Sequence, residues 1–148
     1  MTLPVSEAVS TIPADTLRAY HAAEYRVFGV TTPFVLKIGV RSPELADCHR
    51  AYNVESSAFV TAWNPHGQSH PAQDNDAAQA RLAARLRVRG FHILEARGED
   101  PAGHWAAEDS VLVLGMQLPD ACRLGREFAQ NALLWAGVDA CPRLILLI

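Results

Sequence analysis

The sequence predicts an α+β (mixed α/β) fold, in which helices pack on a single mixed β-sheet in the order α-β-β-α-β-α-β-β-α-β-β. Short apolar runs that suit strands alternate with segments of helical periodicity. Some strands follow one another directly as hairpins, whereas others are separated by helices, and this combination favours a sheet with both parallel and antiparallel neighbours. At 148 residues, of which 49% are apolar, the chain is long enough to bury a core as a single domain over residues 1–148.

The first half of the chain opens with a flexible arm, predicted for residues 1–13 because small and polar residues with two prolines predominate there. Ser42-Pro43 predicts a helix N-cap followed by proline at the first helical position. The predicted elements of this half are a helix from Asp15, strands Tyr25–Phe28 and Phe34–Ile38, and a helix from Pro43 to Tyr52.

The clearest strand is predicted at Ser57–Trp63, where neither alternating set of side chains carries a charge. Both faces are therefore expected to be covered, which places this strand in the middle of the sheet. Pro65 ends it, since proline cannot donate to a strand ladder.

The second half begins with a helix predicted from Asp76 to Arg89, because Asp76 and Gln79 have capping-box spacing and Gly90 follows. The later elements are strands Phe91–Ala96 and Val111–Met116, a helix from Pro119, and strands Ala132–Trp135 and Leu144–Ile148. The last strand is apolar without alternation, so we expect it to lie inside the sheet or to pair with a second copy of the chain.

Composition and charge indicate which partners and which cellular compartment suit this protein. The net charge of −3 argues against a nucleic-acid partner, because such proteins usually carry a basic excess. Three widely spaced cysteines without a CxxC pair predict free thiols in a reducing compartment. No signal peptide or membrane span is predicted, and a cytoplasmic location is expected.

The loop after Trp63 is the best candidate for a functional site. A strand end, a polar connection and a helix start form the arrangement at which α/β sheets often bind ligands, and about a dozen loop residues exceed the usual ~4–6. Trp63 offers a stacking face, and amides both donate and accept hydrogen bonds. The candidate ligand-binding residues are Trp63, Asn64, Asp74, Asn75, Glu108, Gln130 and Asn131. The alternative is that Asn64 and Asn131 only shape turns and Trp63 is core.

Other constellations are weaker. His66, His70, Asp74 and Asp76 have the chemistry of metal ligands, but no HEXXH or other metal motif is present, so neither a metal nor another cofactor is predicted. The acidic segments Glu99-Asp100 and Glu108-Asp109 could supply a carboxylate pair, or could simply belong to a solvated loop. No nucleophile elbow or nucleotide-binding loop occurs, so no catalytic residue is assigned and enzymatic activity is left open.

Three stretches, SSAFVTAWNP, GEDPAGHWAAEDSVLVLG and LGREFAQNALLW, resemble in order and spacing the bacterial family called domain of unknown function 3293. The resemblance extends from Tyr25 to Leu144, although family members usually carry Glu-Asn where this chain has Asp74-Asn75. It implies a compact cytoplasmic bacterial domain and brings no established activity. Two functions follow as hypotheses: a site for a small polar molecule at the loop after residues 57–63, or a protein-interaction or homodimerisation module.

Overall fold

The helices and strands follow one another in the predicted order, as seen in a computed structural model that describes residues 11–148. Most of the predicted N-terminal arm lies outside these residues. The described helices are α1 (Ala14–Ala22), α2 (Pro43–Ala51), α3 (Ala72–Val88) and α4 (Leu118–Glu127), with a 3-10 turn at Pro65–Gly67. The strands are β1 (Glu24–Val27), β2 (Phe34–Leu36), β3 (Ser57–Val60), β4 (His92–Glu99), β5 (Glu108–Leu114), β6 (Ala132–Ala136) and β7 (Arg143–Leu146). The predicted α+β class with one sheet is confirmed, and within residues 11–148 no helix is long and apolar enough to cross a bilayer.

The seven strands form one sheet in the order β2-β1-β4-β5-β3-β6-β7. Every neighbouring pair is antiparallel, so the expected mixture of strand directions is wrong. The crossovers through α3 and α4 do join strands of the same direction, but each of these two skips one position in the sheet. Strand β5 lies between β3 and β4, which α3 connects, and β3 lies between β5 and β6, which α4 connects. An antiparallel strand therefore separates each pair that would otherwise be parallel neighbours.

Two hydrophobic clusters cover the two faces of the sheet, and β3 contributes to both. Phe59 packs with Leu112 and Leu134 on one face, where α2 adds Leu45. Ala58 and Val60 pack on the other face against side chains from α3 and α4. All four residues of β3 are buried between β5 and β6, which confirms the prediction of a covered central strand.

The segment after β3 differs from its predicted boundaries at both ends. The strand ends at Val60 because side chains take over the next backbone donors: Gln79 Oε1 accepts from Ala62 N–H at 2.9 Å, and Thr61 Oγ1 accepts from Trp63 N–H at 3.0 Å. Helix α3 begins at Ala72 rather than Asp76, with Pro71 at the N-cap position. Gln79 therefore bonds to the segment after β3 and does not close a capping box with Asp76.

Strand β7 lies at an edge of the sheet and pairs only with β6 among the described residues, so the expectation of an internal position is wrong. Leu144, Ile145 and Leu146 are half-buried, and Ile148 is 45% exposed. The neighbouring strand and α4 cover part of this apolar run. Pairing with a second copy, the other predicted arrangement, stays a prediction.

Candidate functional site

A cavity of about 540 Å³ lies on the face of the sheet that carries Phe59. Its floor is formed by β1, β3, β4, β5 and β6, and one wall is formed by α1. Its rim comes from three loops: the segment after β3, the β4–β5 hairpin loop with Trp105, and the junction between α4 and β6. A cavity of this size suits a small molecule, since ligand pockets span roughly 300–1,000 Å³.

Strand register places three residues in one row across the cavity floor. Tyr25 of β1 pairs with Gly98 of β4, which in turn pairs with Glu108 of β5. Residues paired directly across strands point to the same face, so the tyrosine and the carboxylate flank a position without a side chain. A Cβ atom built on Gly98 would meet nothing within 4 Å. The glycine therefore leaves the middle of the floor open.

The loop after β3 is tightly shaped rather than structureless. Thr61 Oγ1 donates to Asp109 O at 2.6 Å, and Asn64 adopts a left-handed conformation with φ 48° and ψ 61°. Asparagine tolerates this region better than most residues. A Cβ on Gly67, whose φ is +72°, would lie 2.8 Å from Asn131 Nδ2, so only glycine allows the loop to approach Asn131 this closely.

An amide pair, Asn64 with Asn75, fixes the loop to α3. Asn75 Oδ1 accepts from Asn64 N–H at 2.9 Å, while Asn75 Nδ2 donates to Asn64 Oδ1 at 2.9 Å and to His70 O at 3.3 Å. Asn75 is buried and does not line the cavity, so its place is behind the site, where it positions Asn64. Asp74 is exposed and also lies outside the cavity lining. Sequence reasoning thus placed both residues of the Asp74-Asn75 pair one layer too close to the cavity.

The junction between α4 and β6 supplies two further amides. Gln130 Nε2 donates to Trp63 O at 3.0 Å, which holds the rim residue Trp63 against the end of α4. Asn131 lines the cavity through its side chain, and its backbone oxygen accepts from Leu147 N–H at 2.8 Å. Together with Trp63, Asn64 and Glu108, these amides bring five of the seven sequence-predicted residues to one cavity.

Glu108 is the one acidic residue among the described residues that line the cavity, and none of the others there is Lys, Arg or His. Burial raises the pKa of its carboxyl, and this effect is opposed by the hydrogen bond from Asn64 Nδ2 to Glu108 Oε2 at 3.0 Å. A carboxyl of this kind can exchange a proton closer to neutral pH than an exposed one, and can pair with a ligand cation.

Two tyrosines in the cavity were missed by sequence reasoning. Tyr20 reaches it from α1, and Tyr25 donates its hydroxyl to the backbone oxygen of Tyr20 at 2.6 Å. Burial raises the pKa of both, and the charge of Glu108 adds to the increase. The Tyr25 ring packs edge-on against Phe59 at a centroid distance of 5.3 Å. A signal was available in Gly98, since a glycine inside a strand often marks a place where a ligand approaches.

The remaining candidate chemistry does not converge on the cavity. Glu99 pairs with Arg26, and Asp109 pairs with Arg97 at 3.5 Å, so neither forms a carboxylate pair with Glu108. Asp100 accepts hydrogen bonds from Ala102 and His104 N–H within its own loop. In the described part of the chain, no group of three or more His, Cys, Asp or Glu side chains is arranged to hold a metal ion.

The fold and cavity define a class of α+β protein: a seven-stranded antiparallel sheet carrying an aromatic cavity with one carboxylate. The sequence profile of the family described as "Protein of unknown function (DUF3293)" matches residues 60–133, which is half of the chain. The chain belongs to this family, as its AWNP and QNA segments predict. No curated protein and no solved structure matches it. The matched segment contains the loop after β3, Gly98, Glu108 and both amides of the α4–β6 junction.

Proposed function

We propose that this chain binds a small polar molecule in the cavity beside the loop that follows β3. The observation that carries the proposal is Glu108, a carboxyl held in an aromatic-lined cavity by the Asn64 amide with no cationic side chain in the described lining. A carboxyl taken from water without a partner costs stability, so its retention is easier to understand when a ligand completes its interactions.

The loop architecture supports the same proposal. Three independent connections hold the rim: Asn75 to Asn64, Gln130 to Trp63, and the close contact of Gly67 with Asn131. A rim fixed in this way is already shaped before a ligand arrives, which lowers the entropic cost of binding.

The test fills the cavity without substituting any of its polar residues. Gly98→Val adds a branched side chain where the floor is open, and Glu95→Val adds the same side chain at an exposed position of the same strand. Wild-type protein and both variants are screened by ligand-observed NMR against a diverse library of small polar molecules. We expect hits that bind wild type and Glu95→Val but not Gly98→Val. A library in which no hit is sensitive to Gly98→Val would refute the proposal.

A second candidate function, homodimerisation, is favoured by the edge position of β7. Its outer side has no partner strand among residues 11–148, and Ile148 exposes apolar surface beside it. Unprotected edges pair readily with another strand. Sedimentation at several concentrations tests this: Ile148→Lys should shift a dimer toward monomer, whereas Val88→Lys, at an 86% exposed position on α3, should not. A wild-type chain that is monomeric at all concentrations would exclude it.

A further inference from the structure

The walls of the Glu108 cavity combine one carboxylate with many aromatic rings. Five aromatic side chains line it: Tyr20, Tyr25, Phe59, Trp63 and Trp105. Aromatic faces carry a negative quadrupole and attract cations, whereas an anion near them and near a carboxylate is repelled. In the described lining no Lys, Arg or His offsets this bias.

Glu108 retains hydrogen-bonding capacity toward the cavity. An ionised carboxylate has about four acceptor sites, and the Asn64 amide occupies one of them on Oε2. Tyr20 and Tyr25 are neutral at physiological pH, since burial raises pKa values whose ordinary value is already 10.0, and Tyr25 donates its hydroxyl to a backbone oxygen. The oxygen atoms of Glu108 are thus the strongest acceptors available to a ligand that carries donors.

From this arrangement we infer that the ligand of the cavity is a small organic monocation, such as a protonated amine, with an apolar or aromatic body. Its charged end lies at Glu108 and its body lies against the rings on the floor and rim. This inference rests on the proposed function and names the chemical class of the ligand. Burial raises the energetic cost of the unpaired Glu108 charge, and a ligand cation offsets that cost in a way that a neutral group cannot.

The experiment compares three probes of similar shape and different charge: phenethylamine, 2-phenylethanol and 3-phenylpropanoate. Binding to the full chain is measured by tryptophan fluorescence, since Trp63 and Trp105 border the cavity, and by isothermal titration calorimetry. We expect the amine to bind at least about ten-fold more tightly than the alcohol, and the carboxylate to bind weakest, because a charge-assisted contact is worth roughly one to two powers of ten in affinity.

Two variants assign the effect to the site. Glu108→Gln keeps the shape and an oxygen acceptor for Asn64, but it removes the charge and replaces one acceptor oxygen with an NH2 donor. It should therefore bring the ratio of amine affinity to alcohol affinity close to one. Gly98→Val should weaken all probes, and Glu95→Val should weaken none.

The outcomes distinguish a failure of this inference from a failure of the proposed function on which it rests. Equal or tighter binding of the alcohol or the carboxylate, lost in Gly98→Val, would overturn the cation inference and leave the small-molecule site standing. The absence of amine binding at millimolar concentration would also overturn it, while the library screen would still decide the proposed function. An amine preference that survives Glu108→Gln would show that the carboxylate is not the recognition element.

Discussion

Asn75 provides the sharpest prediction about what stabilises the site. Its buried amide makes three hydrogen bonds, all to the loop after β3, and Asn75→Ala removes them together. The backbone N–H of Asn64 and one acceptor site of His70 O then lose their partners. A typical hydrogen bond contributes about 0.5–1.5 kcal/mol, and a buried group left without a partner costs about 1–3 kcal/mol.

We therefore expect Asn75→Ala to lower the free energy of unfolding by roughly 2–4 kcal/mol. For a domain of this size each kcal/mol corresponds to about 2–4 °C, so Tm should fall by roughly 4–16 °C. The assay is thermal unfolding followed by circular dichroism. Gln73→Ala is the matched control, because Gln73 is exposed on the same turn of α3 and should leave Tm nearly unchanged.

A Tm loss below about 2 °C in Asn75→Ala would refute the reasoning, since it would mean that the loop keeps its shape without the amide pair. A loss equal to that of Gln73→Ala would lead to the same conclusion. A large loss would assign Asn75 a positioning role, with Asn64 and Glu108 as the groups that it positions.

Two other predictions concern Glu108 and the N-cap of α2. The folded pKa of Glu108 lies above its ordinary value of 4.5. Between the unfolded and the folded pKa the folded state therefore binds more protons than the unfolded state, and stability falls as pH rises through that window. Glu108→Gln should accordingly raise Tm at neutral pH, and this gain should disappear below about pH 4. Glu95→Gln is the exposed control. A difference in Tm between Glu108→Gln and wild type that does not change with pH would contradict this prediction. Ser42→Ala should cost about 1 kcal/mol, because Ser42 Oγ accepts from Leu45 N–H at 3.0 Å, and unchanged urea unfolding would show that the cap is dispensable.

The order of helices and strands could be predicted because its signals are local. Ser42 capping α2, the uncharged run at β3 and Gly90 after α3 each involve a few neighbouring residues, and each occurs where predicted. Strand pairing could not be predicted in this way. Two strands joined by a helix are neighbours in the sheet only if no other strand pairs between them. Strand β5 pairs between β3 and β4, and nothing in the sequence of β5 indicates this.

In the candidate site, too, features with a local sequence signal could be predicted and features that depend on tertiary structure could not. Trp63 and Asn64 were predicted because a strand end and an Asn-Pro are visible in the sequence, and Glu108, Gln130 and Asn131 because polar residues adjoin strand ends. Their meeting at one cavity agrees with the expected clustering, while ligand binding itself stays a prediction. The inward position of Asn75 could not be predicted, because α3 begins four residues earlier than its capping signal indicates.

Strand β3 has a consequence for how this chain folds during synthesis. Its residues 57–60 pair with residues 111–114 and 134–136, and with no segment made earlier. This fully buried strand therefore emerges from the ribosome long before either neighbour exists, and its ladder bonds close only when most of the chain is complete. Such distant pairings carry a large loop-closure cost and are associated with slow folding. A fragment limited to residues 60–133 would lose β1, β2 and β7 completely and most of β3 and β6. We expect it to remain unfolded even though it contains most of the cavity lining.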